Sequence, residues 1–310
     1  MHILIENILL EELWWWLEIA TVRFNIYIPR DLSDALKYLD EHGDKAIPLA
    51  GGTDVLALAR MDIIRPELVL DLWPLRKELS YVRHENGYVW IGALTTIDEL
   101  YNSFLSKDKR YLGFYDMYWQ FATPYLRTIA TVGGNIGTGH PLSDLAILLL
   151  ALDAEVKLSS INGDRWVKLE NLYLGKRKLD RKSNELITEV RFKETPENSS
   201  TALLKLDRRR GHAMGYIVTA AYMALDRDTI SDVKIAFDST GKPYPGRAYK
   251  TEEFLRGKKL SEEVIRESYK VLESEMKRIS DYRAPAEYRL DLSKVLMKRC
   301  LYLIRSRITG

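Results

Sequence analysis

The sequence predicts an α+β protein of two domains, and three observations support this. The chain has 310 residues, and roughly 150 residues is a usual domain length. The second half places three strand patterns ahead of three helical patterns, an order typical of α+β domains. Hydrophobic residues make up 46% of the chain and charged residues 29%, so a chain of this length can bury a large core.

The first predicted elements alternate between strands and helices. Apolar runs and alternation predict strands at 24–28, 46–50 and 66–72. Ser33 is the predicted N-cap of a first helix, and Gly43 is its predicted end. A second helix is expected over 55–60, directly after the glycine pair of the segment AGGTD.

Turn and capping signals predict the elements that follow. A strand at 88–93 follows the Asn86-Gly87 turn, and Thr96 is the predicted N-cap of a helix over 97–104. The remaining predicted helices of this half lie at 111–129, with a break near Pro124, and from an opening at 141–144 through 152. Strands are predicted at 155–159 and 186–192, with a hairpin turn at Asn162-Gly163.

The second half of the chain has a different order of predicted elements, with strands first and helices after them. Polar residues 196–200 form the predicted linker that precedes it. Strands are predicted at 201–208, 216–226 and 230–238, and helices at 251–256, 261–277 and 285–306.

Composition and charge exclude several functions. Lys and Arg total 46 and Asp and Glu total 44, for a net charge of +2, unlike a dedicated nucleic-acid binder. The single cysteine, Cys300, cannot hold an iron–sulfur cluster alone, and the five scattered histidines show no paired metal-ligand spacing. Redox chemistry therefore requires an organic cofactor or a partner chain. No run of about 20 apolar residues occurs, so we expect no membrane span and a cytoplasmic location.

Residues 1–21 form an atypical N-terminal extension. Their apolar character is interrupted by Glu6, Glu11, Glu12 and Glu18, with no Lys or Arg before Arg23, unlike a signal peptide. Two interpretations stay open. One is an amphipathic helix whose three consecutive tryptophans, 14–16, face a partner or the membrane interface. The other is that the segment is not native and that translation starts at Val22.

Two glycine segments, 50–54 and 131–135, carry the strongest functional signal. Glycine allows close backbone approach to a ligand, and backbone N–H groups at turns and helix starts favour anionic oxygens. The two segments are candidates for holding the two phosphates of a dinucleotide, with side-chain hydrogen bonds from Thr53, Thr131 and Asn135. Asp144 is a candidate acceptor for a sugar hydroxyl. Tight structural turns are the alternative interpretation, since neither GxGxxG nor a P-loop is present.

The amino-acid sequences of these and other segments resemble those of a known family. The segments are AGGTDVL (50–56), TVGGNI (131–136), PLSDL (141–145), LALDA (150–154), KLDRRRG (205–211) and SDYRAPAEYR (280–289). Together they resemble the FAD-binding medium subunit of the molybdenum hydroxylases. That family includes aerobic carbon monoxide dehydrogenase, the flavin domain of xanthine dehydrogenase and archaeal aldehyde oxidoreductases. The resemblance covers about residues 22–306.

The resemblance implies a fold and a cofactor site. The fold is a vanillyl-alcohol-oxidase-type FAD-binding domain at 22–195, with two α+β subdomains at about 22–75 and 76–195. A smaller α+β domain follows at 200–306. FAD lies between the subdomains, with its pyrophosphate on the two glycine segments and Lys205 near the pyrophosphate or the ring. The implied FAD-binding residues are Ala50, Gly51, Gly52, Thr53, Asp54, Thr131, Gly133, Gly134, Asn135, Asp144 and Lys205.

The resemblance also implies a division of labour. Molybdopterin resides in a large subunit and two [2Fe–2S] clusters in a small one, and FAD passes their electrons to an external acceptor. The complex is expected to be a dimer of heterotrimers. No Ser/His/Asp set or carboxylate pair suggests a catalytic residue. A stand-alone flavin-dependent reductase and a flavin-free scaffold subunit are the alternatives.

Four side chains near these segments have open roles. His140, where relatives tend to have a small residue, either tunes the flavin or phosphate site or is a surface histidine. His212 is expected to be exposed. Trp119 and Tyr125, beside Pro124, are interpreted as core residues or as rings that stack near the flavin.

Overall fold

The structure is a computed structural model that describes residues 23–209, 214–238, 240–241 and 243–310. The predicted N-terminal extension at 1–21 and His212 lie outside these residues. Among the residues described, no helix combines the length and the apolar character that crossing a bilayer requires.

A parallel three-stranded sheet forms first, in the order β1-β3-β2. Its strands are β1 (Asn25–Tyr27), β2 (Ala46–Leu49) and β3 (Leu68–Asp71). Helices α1 (Leu32–His42) and α2 (Val55–Arg60) make the connections, because parallel strands require crossovers. The predicted cap of α1 is wrong. The helix starts before Ser33, and Asp31 caps it, its carboxylate accepting a hydrogen bond from the N–H of Asp34 at 2.8 Å.

A five-stranded antiparallel sheet follows, in the order β4-β5-β10-β6-β7. Its strands are β4 (Val82–Glu85), β5 (Tyr88–Gly92), β6 (Glu155–Ser160), β7 (Gly163–Lys168) and β10 (Leu186–Lys193). The predicted hairpin turn at Asn162-Gly163 is confirmed, and the predicted turn at Asn86-Gly87 also proves to join two paired strands. A two-stranded ribbon, β8 (Tyr173–Gly175) and β9 (Lys178–Leu179), precedes β10.

Seven helices of four or more residues accompany this sheet in the described range 76–172. They are α3 (Arg76–Leu79), α4 (Ile97–Asn102), α5 (Gly113–Gln120), α6 (Pro124–Arg127), α7 (Val132–Gly137), α8 (Asp144–Ala151) and α9 (Leu169–Leu172). Thr96 caps α4 in a capping box with Glu99, as its sequence predicts. All eight residues of α8 are buried, as expected of a helix that is apolar on every face.

The C-terminal half is a four-stranded antiparallel sheet with three helices. The strands are β11 (Ser199–Leu206), β12 (Ile217–Asp226), β13 (Thr229–Phe237) and β14 (Gly246–Arg247), and the helices are α10 (Tyr249–Leu255), α11 (Glu262–Glu275) and α12 (Ala286–Thr309). α12 packs on β11 and β12, and α8 packs on β12 and β13. Nine of the ten residues of β12 are buried as a result.

The predicted linker at 196–200 is shorter than the sequence suggests. Ser199 and Ser200 begin β11 and are fully buried. Their hydroxyl groups donate to the backbone carbonyls of Pro196 and Lys109, respectively. Polar residues are buried here because each hydroxyl has an acceptor.

Candidate functional site

The predicted site residues converge on one cleft of about 770 Å³, a volume typical of small-molecule and cofactor sites. The cleft lies among the parallel sheet, the helices of the five-stranded sheet and the end of β11. The structure brings all eleven predicted residues to its walls: Ala50, Gly51, Gly52, Thr53, Asp54, Thr131, Gly133, Gly134, Asn135, Asp144 and Lys205.

Close packing and backbone geometry explain the glycines of the first segment. A Cβ atom on Gly51 would lie 1.7 Å from the carbonyl oxygen of Ile129, so this segment packs directly on the backbone that precedes the second one. Gly52 has φ +69°, in the left-handed region that glycine adopts at no steric cost. The fold therefore requires glycine at both positions, whether or not a ligand is bound.

The first segment also presents unused hydrogen-bond donors. Within the described chain, the N–H groups of Gly51, Gly52, Thr53 and Asp54 donate to no protein acceptor. They lie between the end of β2 and the start of α2 and form part of the cleft wall. Consecutive free N–H groups of this kind bind anionic oxygens.

The second segment is a helix start and not a tight turn. Residues 132–137 form helix α7, and the Thr131 hydroxyl caps it by accepting from the N–H of Gly134 at 3.1 Å. The N–H groups of Val132 and Gly133 donate to the carbonyls of Thr95 and Ala93, at 2.9 and 2.7 Å. The first donors of this helix are thus consumed inside the protein, and free backbone donors lie on the first segment instead.

Lys205 and Asp144 form a buried ion pair in the cleft wall. Lys205 Nζ lies 2.9 Å from Asp144 Oδ2, with side-chain exposures of 7% and 6%. It also donates to the carbonyl of Gln120 at 3.3 Å. Burial raises the pKa of Asp144, and the Lys205 charge opposes that effect.

Two buried oxygen atoms in the same wall lack a partner. Asp144 Oδ1 and Asn135 Oδ1 accept no hydrogen bond from the described residues. Such atoms are costly in a dry interior. Each is therefore suited to receive a hydrogen bond from a ligand that fills the cleft.

A second polar cluster was not predicted. Arg177 Nη1 and Nη2 lie 2.6 and 3.1 Å from the two carboxylate oxygens of Asp54. The Thr138 hydroxyl donates to Asp54 Oδ2 at 2.6 Å. Burial opposes ionisation of Asp54, but the hydrogen bonds from Arg177 and Thr138 outweigh it and lower the pKa of this carboxyl. The cluster joins three segments distant in the chain, and no local sequence signal marks it.

His140 belongs to the cleft wall and not to the outer surface. Its Nδ1 accepts the N–H of Leu142 at 3.1 Å, so the proton of the neutral ring lies on Nε2. Burial, reinforced by the charge of Arg177, lowers the pKa of His140 to about 4. The ring is therefore neutral near pH 7.

Apolar side chains supply the rest of the wall and were missed by the sequence analysis. They include Ile47, Pro48, Leu94, Phe121, Leu126, Leu142 and Ile187. Trp119 and Tyr125, by contrast, are 56% and 88% exposed. The interpretation of these two rings as core residues is wrong. They project from the surface of α5 and α6, and neither lines the cleft.

Comparison with known proteins identifies the family. Residues 22–192 match the profile described as "FAD binding domain in molybdopterin dehydrogenase". The chain belongs to this family. Residues 202–304 of the flavoprotein match the "CO dehydrogenase flavoprotein C-terminal domain". It is therefore an FAD-binding oxidoreductase subunit, as its sequence predicts.

Similar proteins span nearly the whole chain. The glyceraldehyde dehydrogenase medium chain of Sulfolobus acidocaldarius is 31% identical over 88% of this chain and 95% of its own. The carbon monoxide dehydrogenase medium chain of Hydrogenophaga pseudoflava is 27% identical over 90% of this chain and 96% of its own.

Solved structures confirm the predicted fold. Carbon monoxide dehydrogenase from Hydrogenophaga pseudoflava, in a form lacking the Mo-pyranopterin moiety, has a TM-score of 0.86 at 27% identity, covering 92% of this chain and 98% of that one. The reconstituted enzyme from Oligotropha carboxidovorans gives 0.87 at 26% identity, with the same coverage. The fold is a two-part α+β FAD-binding domain followed by an α+β C-terminal domain.

The cleft fits FAD on its own geometry. Its volume suits an extended cofactor, and the four free N–H groups of the first segment suit a pyrophosphate. The unpartnered oxygens of Asn135 and Asp144 suit donors such as hydroxyl or ring N–H groups. FAD is the cofactor of this family.

Proposed function

We propose that this flavoprotein is the electron-transfer subunit of a molybdenum hydroxylase. It takes electrons from the [2Fe–2S] clusters of a small partner subunit and passes them to an external acceptor. The observation that carries the proposal is the cleft itself, where free backbone donors and unpartnered buried acceptors face one FAD-sized space. Binding and orienting a redox cofactor requires this arrangement and no further catalytic side chain.

The cofactor's phosphates are assigned to the first glycine segment. The N–H groups from Gly51 to Asp54 hold the pyrophosphate oxygens, and the Thr53 side chain adds a hydroxyl. The cluster of Asp54, Thr138 and Arg177 holds this segment against the end of α7 and the turn between β8 and β9.

The flavin ring is assigned to the end of the cleft near β11. Phe121 and Leu126 supply apolar surface there, and Asp144 and Lys205 supply an acceptor and a positive charge. When bound, FAD supplies reversible electron transfer, which none of the amino-acid side chains here provides. A cation held near the ring stabilises the added negative charge of reduction. Lys205 is the residue to which we assign that role.

The partner subunits follow from what this chain lacks. Its single cysteine, Cys300, is fully buried, with Sγ 3.7 Å from the carbonyl of Thr219. Clusters ligated by cysteine must therefore reside in another chain. The carbon monoxide and glyceraldehyde dehydrogenase relatives are named medium chains. From the resemblance to the molybdenum hydroxylases, we assign to this complex a large molybdopterin subunit, a small [2Fe–2S] subunit, a dimer-of-heterotrimers assembly and a cytoplasmic location.

Purification from the native host, followed by absorption spectroscopy and metal analysis, tests this function. We expect peaks near ~375 and ~450 nm from an organic redox cofactor, FAD released by acid, and iron and molybdenum in co-purifying subunits. In rapid-mixing experiments, the flavin absorbance should bleach after the iron–sulfur absorbance when the complex is reduced through its large subunit.

Two other outcomes would contradict the proposal. A colourless chain that takes up no added FAD would support a scaffold subunit. A flavin that NADPH reduces in the isolated chain, with no partner subunits, would support a stand-alone reductase.

A further inference from the structure

Arg181 lines the cleft from the segment between β9 and β10, whereas Lys205 lines it from β11. Arg181 lines the cleft together with Ile47, Pro48 and Leu186. Its segment contacts α1, where Asn184 Nδ2 donates to Asp40 Oδ1 at 2.7 Å. Arg181 and Lys205 thus line the cleft from different parts of the fold.

The guanidinium group of Arg181 has no carboxylate partner. Its Nη1 donates only to backbone carbonyls, those of Lys182, at 3.1 Å, and Glu185. The Glu185 carboxylate is instead held by Arg165, with Nε–Oε1 and Nη2–Oε2 distances of 2.7 and 2.9 Å. Among the described residues, Nε and Nη2 of Arg181 make no hydrogen bond. Burial lowers the pKa of this group.

A cation in this setting selects a particular ligand chemistry. The guanidinium is planar and stacks on aromatic rings, and its free N–H groups donate to ring nitrogens. The neighbouring Ile47, Pro48 and Leu186 offer apolar surface to a flat ring. FAD has two ring systems separated by its pyrophosphate. With the flavin ring assigned beside Lys205 and the pyrophosphate on the glycine segments, the wall around Arg181 is left for the adenine ring.

We propose that Arg181 binds the adenine ring and makes the cleft selective for FAD over FMN. This inference rests on the proposed placement of the flavin ring and deepens it. Arg177, four residues earlier, is a contrasting arginine. It lies in the same wall, but Asp54 neutralises it at 2.6 Å, so it cannot supply free donors of the same kind.

The test compares flavin fragments on the full chain, prepared with its co-purifying subunits and freed of flavin. Affinities for FAD, FMN and ADP are measured by quenching of flavin fluorescence and, for ADP, by competition with FAD. Arg181→Leu should weaken FAD and ADP about tenfold, the scale of one stacked cation. FMN affinity should change less than twofold. The affinities of Arg181→Lys for FAD and ADP should lie between those of wild type and Arg181→Leu, since lysine keeps the charge but lacks the planar guanidinium.

The control is Lys182→Leu, at the exposed neighbour whose side chain makes no hydrogen bond or ion pair with the described residues. It should leave all three affinities unchanged. Arg181→Gln serves if the leucine variant does not fold, as judged by its circular dichroism spectrum.

The outcomes separate this inference from the proposed function. An equal loss of FAD and FMN affinity, or no loss of either, would overturn the role of Arg181. Failure of the wild-type chain to bind FAD at all would overturn the proposed function instead.

Discussion

The ammonium group of Lys205 lies 2.9 Å from Oδ2 of Asp144, with neither side chain more than 7% exposed. Lys205 belongs to β11, whereas Asp144 is the first residue of α8. The pair therefore joins the C-terminal sheet to the helix at the centre of the FAD-binding part. It uses only one oxygen of Asp144 and leaves Oδ1 for a ligand.

Removing Asp144 should destabilise the protein more than removing Lys205. Asp144→Leu leaves a buried ammonium without a counter-ion, and we expect a loss of about 3–5 kcal/mol in unfolding free energy. Lys205→Met should cost less, because burial already raises the pKa of Asp144 and the carboxyl can take up a proton. Urea unfolding of the two variants measures the difference.

The double variant Lys205→Met with Asp144→Leu is the control for this prediction. Replacing both charges with apolar groups should recover most of the loss of Asp144→Leu. A double variant no more stable than Asp144→Leu would show that lost packing, and not the unpaired charge, is responsible.

Gly51→Ala should disrupt the cleft. The new Cβ would meet the carbonyl oxygen of Ile129 at 1.7 Å, so the two glycine segments must separate, at a cost near ~3 kcal/mol. We expect a lower melting temperature and loss of bound FAD. The control is Gly175→Ala, whose Cβ finds its nearest neighbour at an ordinary 3.7 Å, outside the cleft. Equal effects at the two positions would contradict the packing argument.

His140 should make the protein sensitive to mild acid. Burial lowers its pKa to about 4, so between that value and its unfolded value of about 6.5 only the unfolded chain binds the proton. Stability is fully present above pH 6.5 and falls as the pH drops toward 4. His140→Asn keeps an acceptor for the Leu142 N–H. In this variant the urea midpoint of unfolding should fall less between pH 7 and pH 5 than in wild type.

His84→Asn is the matched control for this prediction, since His84 is exposed and outside the cleft. If the urea midpoint of His140→Asn falls with pH as steeply as that of wild type, the acid sensitivity comes from other groups.

The Asp54–Arg177 pair should contribute modestly, because both side chains are about a third exposed. Arg177→Met should cost about 0.5–1 kcal/mol near pH 7. The pKa of Asp54 is lowered in the folded state, so this stability is present above its unfolded pKa of about 3.9 and is lost as the pH falls through the folded value. The difference in unfolding free energy between wild type and variant should therefore begin to shrink as the pH falls below about 3.9. A difference that is the same at pH 7 and pH 3 would argue against the ion pair.

The sequence located the cleft because its strongest signals are local. The segments AGGTD and TVGGN have glycine where close packing or a left-handed backbone requires it, as at Gly51 and Gly52. The apolar run of α8 likewise follows from composition alone. Features of this kind depend on residues a few positions apart.

What the sequence did not show depends on distant residues. Asp54 and Arg177 are 123 positions apart, and only the folded chain brings them within 2.6 Å. Residues 132–137 are helical despite three glycines, which disfavour helices, because Thr131 caps α7 and its first N–H groups find acceptors at Thr95 and Ala93. Tertiary contacts override the local preference there.

The burial of Cys300 has a practical consequence for labelling. Its thiol is fully buried, and burial raises its pKa, so maleimides and other thiol reagents have no thiolate to attack in the folded chain. One new surface cysteine, such as Lys182→Cys beside the cleft, would carry a single spectroscopic probe without removal of the native residue. The native thiol would react only when the C-terminal half opens, and its modification rate would then report that opening.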